Sequence, residues 1–132
     1  MVERTTAKTF DEFEGIIEDV QVEPSNLDND TSEQYHLFIK PTNVEIEGKT
    51  GFIHEWVRIS PKCTDESIQE GSVLDKFIQQ IEILDSATKK MTRHMDVMLS
   101  LKSKKYLFKK VKHGRSFEDK PAKEYWTPVK EL

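Results

Sequence analysis

The chain has 132 residues, which is enough for one domain with a single core and too few for two ordinary domains. Hydrophobic residues make up 36% and charged residues 33%, with twelve Phe, Tyr and Trp, which excludes the aromatic-poor composition of disordered chains. The sequence has no signal-peptide pattern and no apolar run near the roughly 18 residues of a spanning helix. With Cys63 as its one cysteine, it has neither an internal disulfide nor a multi-cysteine zinc site. We expect a cytoplasmic domain over 10–132 after a flexible lead-in over 1–9.

The net charge of −4 conceals opposite signs in the two halves of the chain. Residues 1–70 hold 16 Asp and Glu against 6 Lys and Arg, whereas residues 71–132 hold 8 against 14. Residues 89–123 alone hold 12 basic and 3 acidic residues. Because a polyanion responds to the local field, this segment is a candidate contact for nucleic acid. The alternative is that the two halves neutralise each other across the fold.

The first predicted strand spans Phe13–Val22, which is rich in Ile and Val. It contains Gly15, near which we expect a bend or a bulge. Pro24 ends the strand, and turn formers and acids over Pro24–Glu33 predict a surface loop.

The second and third strands are predicted over Tyr35–Lys40 and Phe52–Ser60, with a glycine-rich turn at Gly48–Gly51 between them. Alternation places one set of side chains on a shared face that is more aromatic and basic than a solvated face usually is: His36, Phe38, Lys40, Phe52, His54, Trp56 and Arg58. Glu55 interrupts the opposite, apolar face, which indicates a bulge or an edge position.

A helix is predicted over Val73–Leu84, where apolar residues recur at intervals of three and four, and Ser72 with Asp75 forms a capping-box-like start. The pattern over Lys89–Leu101 predicts a short helix or a turn. The fourth strand is predicted over Lys104–Lys112, and a short last strand over Tyr125–Val129 is limited by Pro128.

Catalytic and metal-binding motifs are incomplete. His54-Glu55 opens like a zinc-protease motif, but Arg58 stands where the second histidine is needed. Gly48-Lys49-Thr50 lacks the leading glycine of a phosphate-binding loop, and the calcium-like spacing that begins at Asp28 lacks its glycine and its bidentate Glu. The four histidines are scattered. We therefore expect a non-enzymatic protein with no catalytic site, no metal and no cofactor.

Single-stranded nucleic acid binding needs cations that follow the phosphates and flat rings on which bases stack. Both ingredients occur on the shared face of strands two and three and again after residue 101. The predicted binding residues are Phe38, Lys40, Phe52, Trp56, Arg58, Lys102, Lys104, Lys105, Tyr106, Lys109, Lys110, Lys112, Arg115 and Trp126. As alternatives, Phe38, Phe52 and Trp56 fill the interior, Tyr106 is core, and the lysines discourage edge-to-edge aggregation.

The predicted order of three strands, one helix and two strands, with the bend-prone Gly15, resembles the OB fold over residues 10–130. The chain is similar to archaeal and phage single-stranded DNA-binding proteins. The resemblance implies an all-β, five-stranded OB-like barrel that binds oligonucleotides on its second and third strands. We expect binding of single-stranded nucleic acid, DNA in preference to RNA, with low sequence specificity. The alternatives are a protein-interaction or self-associating module with complementary acidic and basic faces, and a small-molecule or saccharide site on the same face.

Overall fold

The computed structural model describes residues 11–25, 32–44, 51–113 and 123–132, which form one five-stranded antiparallel sheet with a few helices. The strands are β1 (Glu12–Pro24), β2 (Glu33–Pro41), β3 (Ile53–Ile59), β4 (Lys105–Lys112) and β5 (Glu124–Glu131). Between β3 and β4 lie α1 (Val73–Leu84), a 3₁₀ helix (Ser86–Lys90) and α2 (His94–Leu99). None of the helices in these ranges is long and apolar enough to cross a membrane.

The five predicted strands and the predicted main helix are all present, with ends that differ by a few residues. The stretch predicted as a short helix or a turn contains α2 and the end of the 3₁₀ helix, so the chain has more helices than the one expected. Pro128 does not limit the last strand, because β5 lies at the edge of the sheet, where a residue without an N–H is tolerated. The predicted Gly48–Gly51 turn lies outside the described residues except for Gly51.

The sheet has the order β3-β2-β1-β4-β5 and is not closed into a barrel, in contrast to the predicted architecture. Its two edge strands, β3 and β5, are connected by a side chain: the Glu55 carboxylate accepts a hydrogen bond from the Trp126 backbone N–H at 3.1 Å. Glu55 is only 8% exposed. The acid that interrupts the apolar pattern of β3 is thus an edge residue, and it bridges the opening of the sheet.

The long strand β1 lies at the centre of the sheet and pairs with β2 and β4. A bulge between Ile17 and Asp19 reverses which side chains face the core, so the predicted irregularity lies beyond Gly15. Gly15 serves another purpose. A Cβ there would lie 3.0 Å from both Ile39 and the Lys40 carbonyl oxygen, so a larger residue would crowd the pairing with β2.

The core lies between one face of the sheet and helix α1, which packs against the edge strands β3 and β5. The Ser72 hydroxyl caps α1 by accepting from the Asp75 N–H at 3.2 Å, while the Asp75 carboxylate accepts from the Gly71 N–H. The buried stripe of the helix consists of Leu74, Phe77, Ile78 and Ile81. This packing leaves the opposite face of β2 and β3 outside the core.

Candidate nucleic-acid interface

A row of rings covers the outer face of β2 and β3. Tyr35, Leu37 and Ile39 are buried on the core side of β2, so the residues between them point outward. The antiparallel register places Phe38 opposite His54 and His36 opposite Trp56. We define the ring surface as His36, Phe38, Phe52, His54 and Trp56. These are the aromatic residues that alternation predicted on one face, and the alternative that they fill the interior is wrong.

The rings contact one another in a continuous series. His36 stacks on Phe38 with 4.0 Å between ring centroids and on Trp56 with 4.8 Å, and Phe52 meets Phe38 edge-on at 6.2 Å. Phe38 and Phe52 are half-buried, whereas Trp56 is 37% exposed. The ring surface therefore presents aromatic area to solvent, with the Trp56 indole as its most accessible part.

The Glu23 carboxylate, from the end of β1, holds part of the ring surface in place. It accepts hydrogen bonds from the Trp56 indole N–H at 3.0 Å, from the Gln34 amide at 3.1 Å and from His36 Nδ1 at 3.0 Å. Burial alone would raise the pKa of Glu23, but these hydrogen bonds and the charge of His36 outweigh it and lower the pKa below its ordinary value. Glu23 is consequently ionised at neutral pH and fixes the orientation of the indole.

The two histidines of the ring surface are hydrogen-bonded to each other. His36 Nε2 and His54 Nδ1 lie 2.7 Å apart across the two strands. Burial, and secondly the proximity of His36, lower the pKa of His54. These histidines are scattered in the sequence, and the β2–β3 register is what brings them together.

Three predicted cationic residues lie at or near the ring surface. Lys40 and Arg58 lie at its opposite ends, and the Arg58 guanidinium donates to the Ser32 hydroxyl at 3.2 Å. Ile16 of β1 pairs with both Lys40 and Lys105, so Lys105 shares an outward-facing row with Lys40 across three strands. With a spacing of about 4.8 Å between strands, Lys105 is about 10 Å from Lys40 along the sheet. It is the lysine of β4 that the register brings nearest to the ring surface.

Much of the remaining basic stretch contacts acidic side chains. Lys102 pairs with Asp19 at 3.2 Å, Lys104 with Asp85 at 3.5 Å and Lys109 with Glu12 at 3.4 Å. Asp19 and Glu12 belong to the acidic half of the chain, which supports the alternative that the halves partly neutralise each other. Among the other predicted cations, Lys110 and Lys112 are exposed, and Arg115 lies outside the described residues.

Tyr106 and Trp126 are core residues, so their assignment to a binding surface is wrong. They are 2% and 3% exposed. The Trp126 ring meets the Phe13 ring edge-on at 4.8 Å, and Tyr106 faces Phe108 at 6.1 Å. Burial raises the pKa of Tyr106 to about 12. The lysines next to these aromatic residues in the sequence point away from the core or lie at the margin of the sheet. Neighbouring lysines therefore did not show that the aromatic side chains themselves are exposed.

The sequence did not indicate the roles of Glu23 and Gln34. Gln34 could be found by continuing the alternation of β2 two residues before His36. Glu23 could not be found in this way, because the bulge after Ile17 shifts the alternation of β1.

The Glu23 carboxylate lies beside the two imidazoles of the ring surface, but no group of three or more His, Cys, Asp or Glu side chains in the described part of the chain could hold a metal ion. Comparison of the chain with protein-family models, curated protein sequences and solved structures found no match.

Proposed function

We propose that this protein binds single-stranded DNA or RNA, with little sequence preference, on the ring surface. The observation that carries the proposal is that three aromatic side chains lie outside the core: Phe38 on β2, Trp56 on β3 and Phe52 directly before β3. Exposed aromatic residues are costly to solvate and are used where a flat apolar partner covers them.

The chemistry of the surface suits an extended strand of nucleotides. Stacking of a base on an aromatic ring contributes about 1–3 kcal/mol and tolerates any base, because every base has a π face. From Phe52 to Arg58 the surface extends about 20 Å along β3. Lys40 and Arg58, at the two ends of the ring surface, and Lys105 beside it would contact the phosphates.

We further propose that the sheet is an open form of the OB architecture, which is itself a partly open five-stranded barrel. Support comes from the pairing of β1 with both β2 and β4, and from the Glu55 bridge that draws the edges of β3 and β5 together. OB folds bind oligonucleotides on strands two and three, where the ring surface lies.

A protein partner recognised through complementary charge has less support. Lys102 and Lys109 are already engaged by acids of the same chain. Pairs between exposed side chains are weak, about 0–1 kcal/mol, so they reduce the local field without preventing a ligand from competing.

The proposal predicts that Trp56 reports binding and Trp126 does not. The chain has two tryptophans, so Trp126→Phe leaves one indole on the ring surface and Trp56→Phe leaves one in the core. We expect oligo(dT) to quench the emission of the Trp126→Phe variant and to leave that of the Trp56→Phe variant nearly unchanged.

Trp56→Ala should weaken binding by about 1–3 kcal/mol, measured by fluorescence anisotropy at low salt.

Ile83→Ala is the matched control for loss of an exposed apolar side chain, since Ile83 is 74% exposed on α1. It should bind like the wild type. Absence of oligo(dT) binding by the wild-type protein at low salt would refute the proposed function, and equal quenching in both single-tryptophan variants would place the ligand elsewhere.

Lys105 and Lys109 provide a comparison within one strand. Lys105→Ala should reduce the slope of log affinity against log salt concentration by about 0.7. This is the change expected when one phosphate contact with single-stranded nucleic acid is lost. Lys109→Ala should change it less, because Lys109 pairs with Glu12, four residue pairs further along β1 from the row that contains Lys40 and Lys105. A larger effect of Lys109→Ala would shift the proposed path of the phosphates towards the far end of β4.

A further inference from the structure

The hydrogen bond between His36 and His54 limits how many protons the pair can hold. The two ring nitrogens are 2.7 Å apart, and one of them must donate while the other accepts. The other nitrogen of His36, Nδ1, lies 3.0 Å from the Glu23 carboxylate, which only accepts. His36 therefore donates to Glu23, and in the neutral pair its Nε2 accepts from His54 Nδ1.

One further proton can bind to this series of hydrogen-bonded side chains without breaking a hydrogen bond. The extra proton makes one ring an imidazolium, and a single N–H still joins the two rings whichever ring carries the charge. The Glu23 carboxylate at the end of the chain stabilises that positive charge. Unperturbed imidazoles change charge between about pH 5 and 8.

We propose that the His36–His54 pair takes up one proton when single-stranded nucleic acid binds, so that affinity rises as the pH falls. This inference rests on the proposed function, because the proton is attracted by phosphates lying along the ring surface. In the free protein, burial lowers the pKa of His54. A phosphate near the pair opposes this effect by favouring the charged form.

The charged groups around the pair are compatible with this coupling. From β1, Glu23 contacts His36, while Asp19 lies opposite Phe38 and is engaged by Lys102. On β2 and β3 the charged neighbours are Lys40 and Arg58, at the two ends of the ring surface. Glu23 places a negative charge inside the surface, and the added proton neutralises it. Proton uptake therefore removes a repulsion of the phosphates as well as adding an attraction.

The test compares oligo(dT) affinity and its salt dependence at about pH 5.5 and 8, since imidazoles in general change charge in this window. The wild-type protein should bind about tenfold more tightly at the lower pH, which is well within the limit of tenfold per pH unit that the uptake of one proton allows. At the lower pH, the slope of log affinity against log salt concentration should be steeper by about 0.7, because the protonated pair adds one positive charge that contacts the phosphates. The double variant His36→Gln/His54→Gln should remove both changes, because no imidazole is then left on the ring surface. Arg58→Gln is the matched control: it should lower affinity at both pH values and keep their ratio.

The outcomes separate the two proposals. Binding that is unaffected by pH in the wild type overturns the proton coupling while leaving the function intact, whereas no binding at either pH overturns both. Because a histidine variant can lose stability, imidazole NMR titrations of the wild-type protein supply a second measurement. We expect the pKa of His54, which burial lowers in the free protein, to rise when oligo(dT) is added, and an unchanged value would also overturn the coupling.

Discussion

Replacing Trp126 with alanine is expected to lower the free energy of unfolding by about 3–5 kcal/mol, the cost of removing a large aromatic side chain from a packed core. Its ring is nearly inaccessible, contacts Phe13 at 4.8 Å and lies beneath the Lys110 ammonium at 5.3 Å. Since small domains are stable by about 5–15 kcal/mol, this loss is a large fraction of the total. Urea denaturation followed by far-UV circular dichroism measures it.

Trp56→Ala is the control for this experiment, because it removes the same side chain from the ring surface. It should cost less than about 1 kcal/mol, as substitutions outside the core usually do. If Trp126→Ala folded with wild-type stability and lost only oligonucleotide binding, Trp126 would have to be returned to the binding surface.

Replacing Glu55 with alanine is expected to lower the free energy of unfolding by about 1–3 kcal/mol. The substitution leaves the buried Trp126 N–H without its acceptor and removes the bridge between the sheet edges. Glu55→Gln keeps the shape and one acceptor oxygen, so it should cost less than Glu55→Ala. Equal stability of the wild-type and alanine proteins would show that the bridge contributes nothing to holding β3 and β5 together.

The stability difference between wild type and Glu55→Gln should depend on pH. Burial raises the pKa of Glu55, and hydrogen bonds from the Trp126 and Trp56 N–H groups offset that rise only in part. A carboxyl whose pKa is raised on folding contributes most stability below its unfolded pKa and loses it as the pH rises through the folded value. The wild type should therefore gain stability relative to the glutamine variant as the pH falls towards about 4.3, the ordinary pKa of a glutamate side chain. Denaturation at several pH values measures this gain, and a constant difference would contradict it.

Much of the fold could be predicted because secondary structure leaves a local trace in the sequence. The period of two in β2 and β3 is visible without knowledge of any partner, and it placed Phe38 and Trp56 on the face opposite Leu37 and Val57. The main helix could also be predicted, since the cap at Ser72 and the apolar stripe of α1 are both local patterns in the sequence.

Assignment of residues to the interior was less predictable. Alternation shows that Tyr106 and Phe108 share a face, but the lysines around them suggested a solvated strand. Which face is covered depends on α1 and on the neighbouring strands, which are distant in the sequence. Trp126 was misassigned for the same reason, because its burial comes from Phe13 at the other end of the chain.

The strands, the main helix and the alternation that gathers the rings of β2 and β3 on one face can be predicted from the sequence, because each depends on neighbouring residues. The three-dimensional packing was needed to show that the sheet stays open at a Glu55 bridge, and that Glu23 reaches Trp56 and His36. The strand register also places Lys105 in the same row across the sheet as Lys40, and no other lysine of β4 shares that row. These relations depend on strand register and on one bulge in β1, which join residues far apart in the chain.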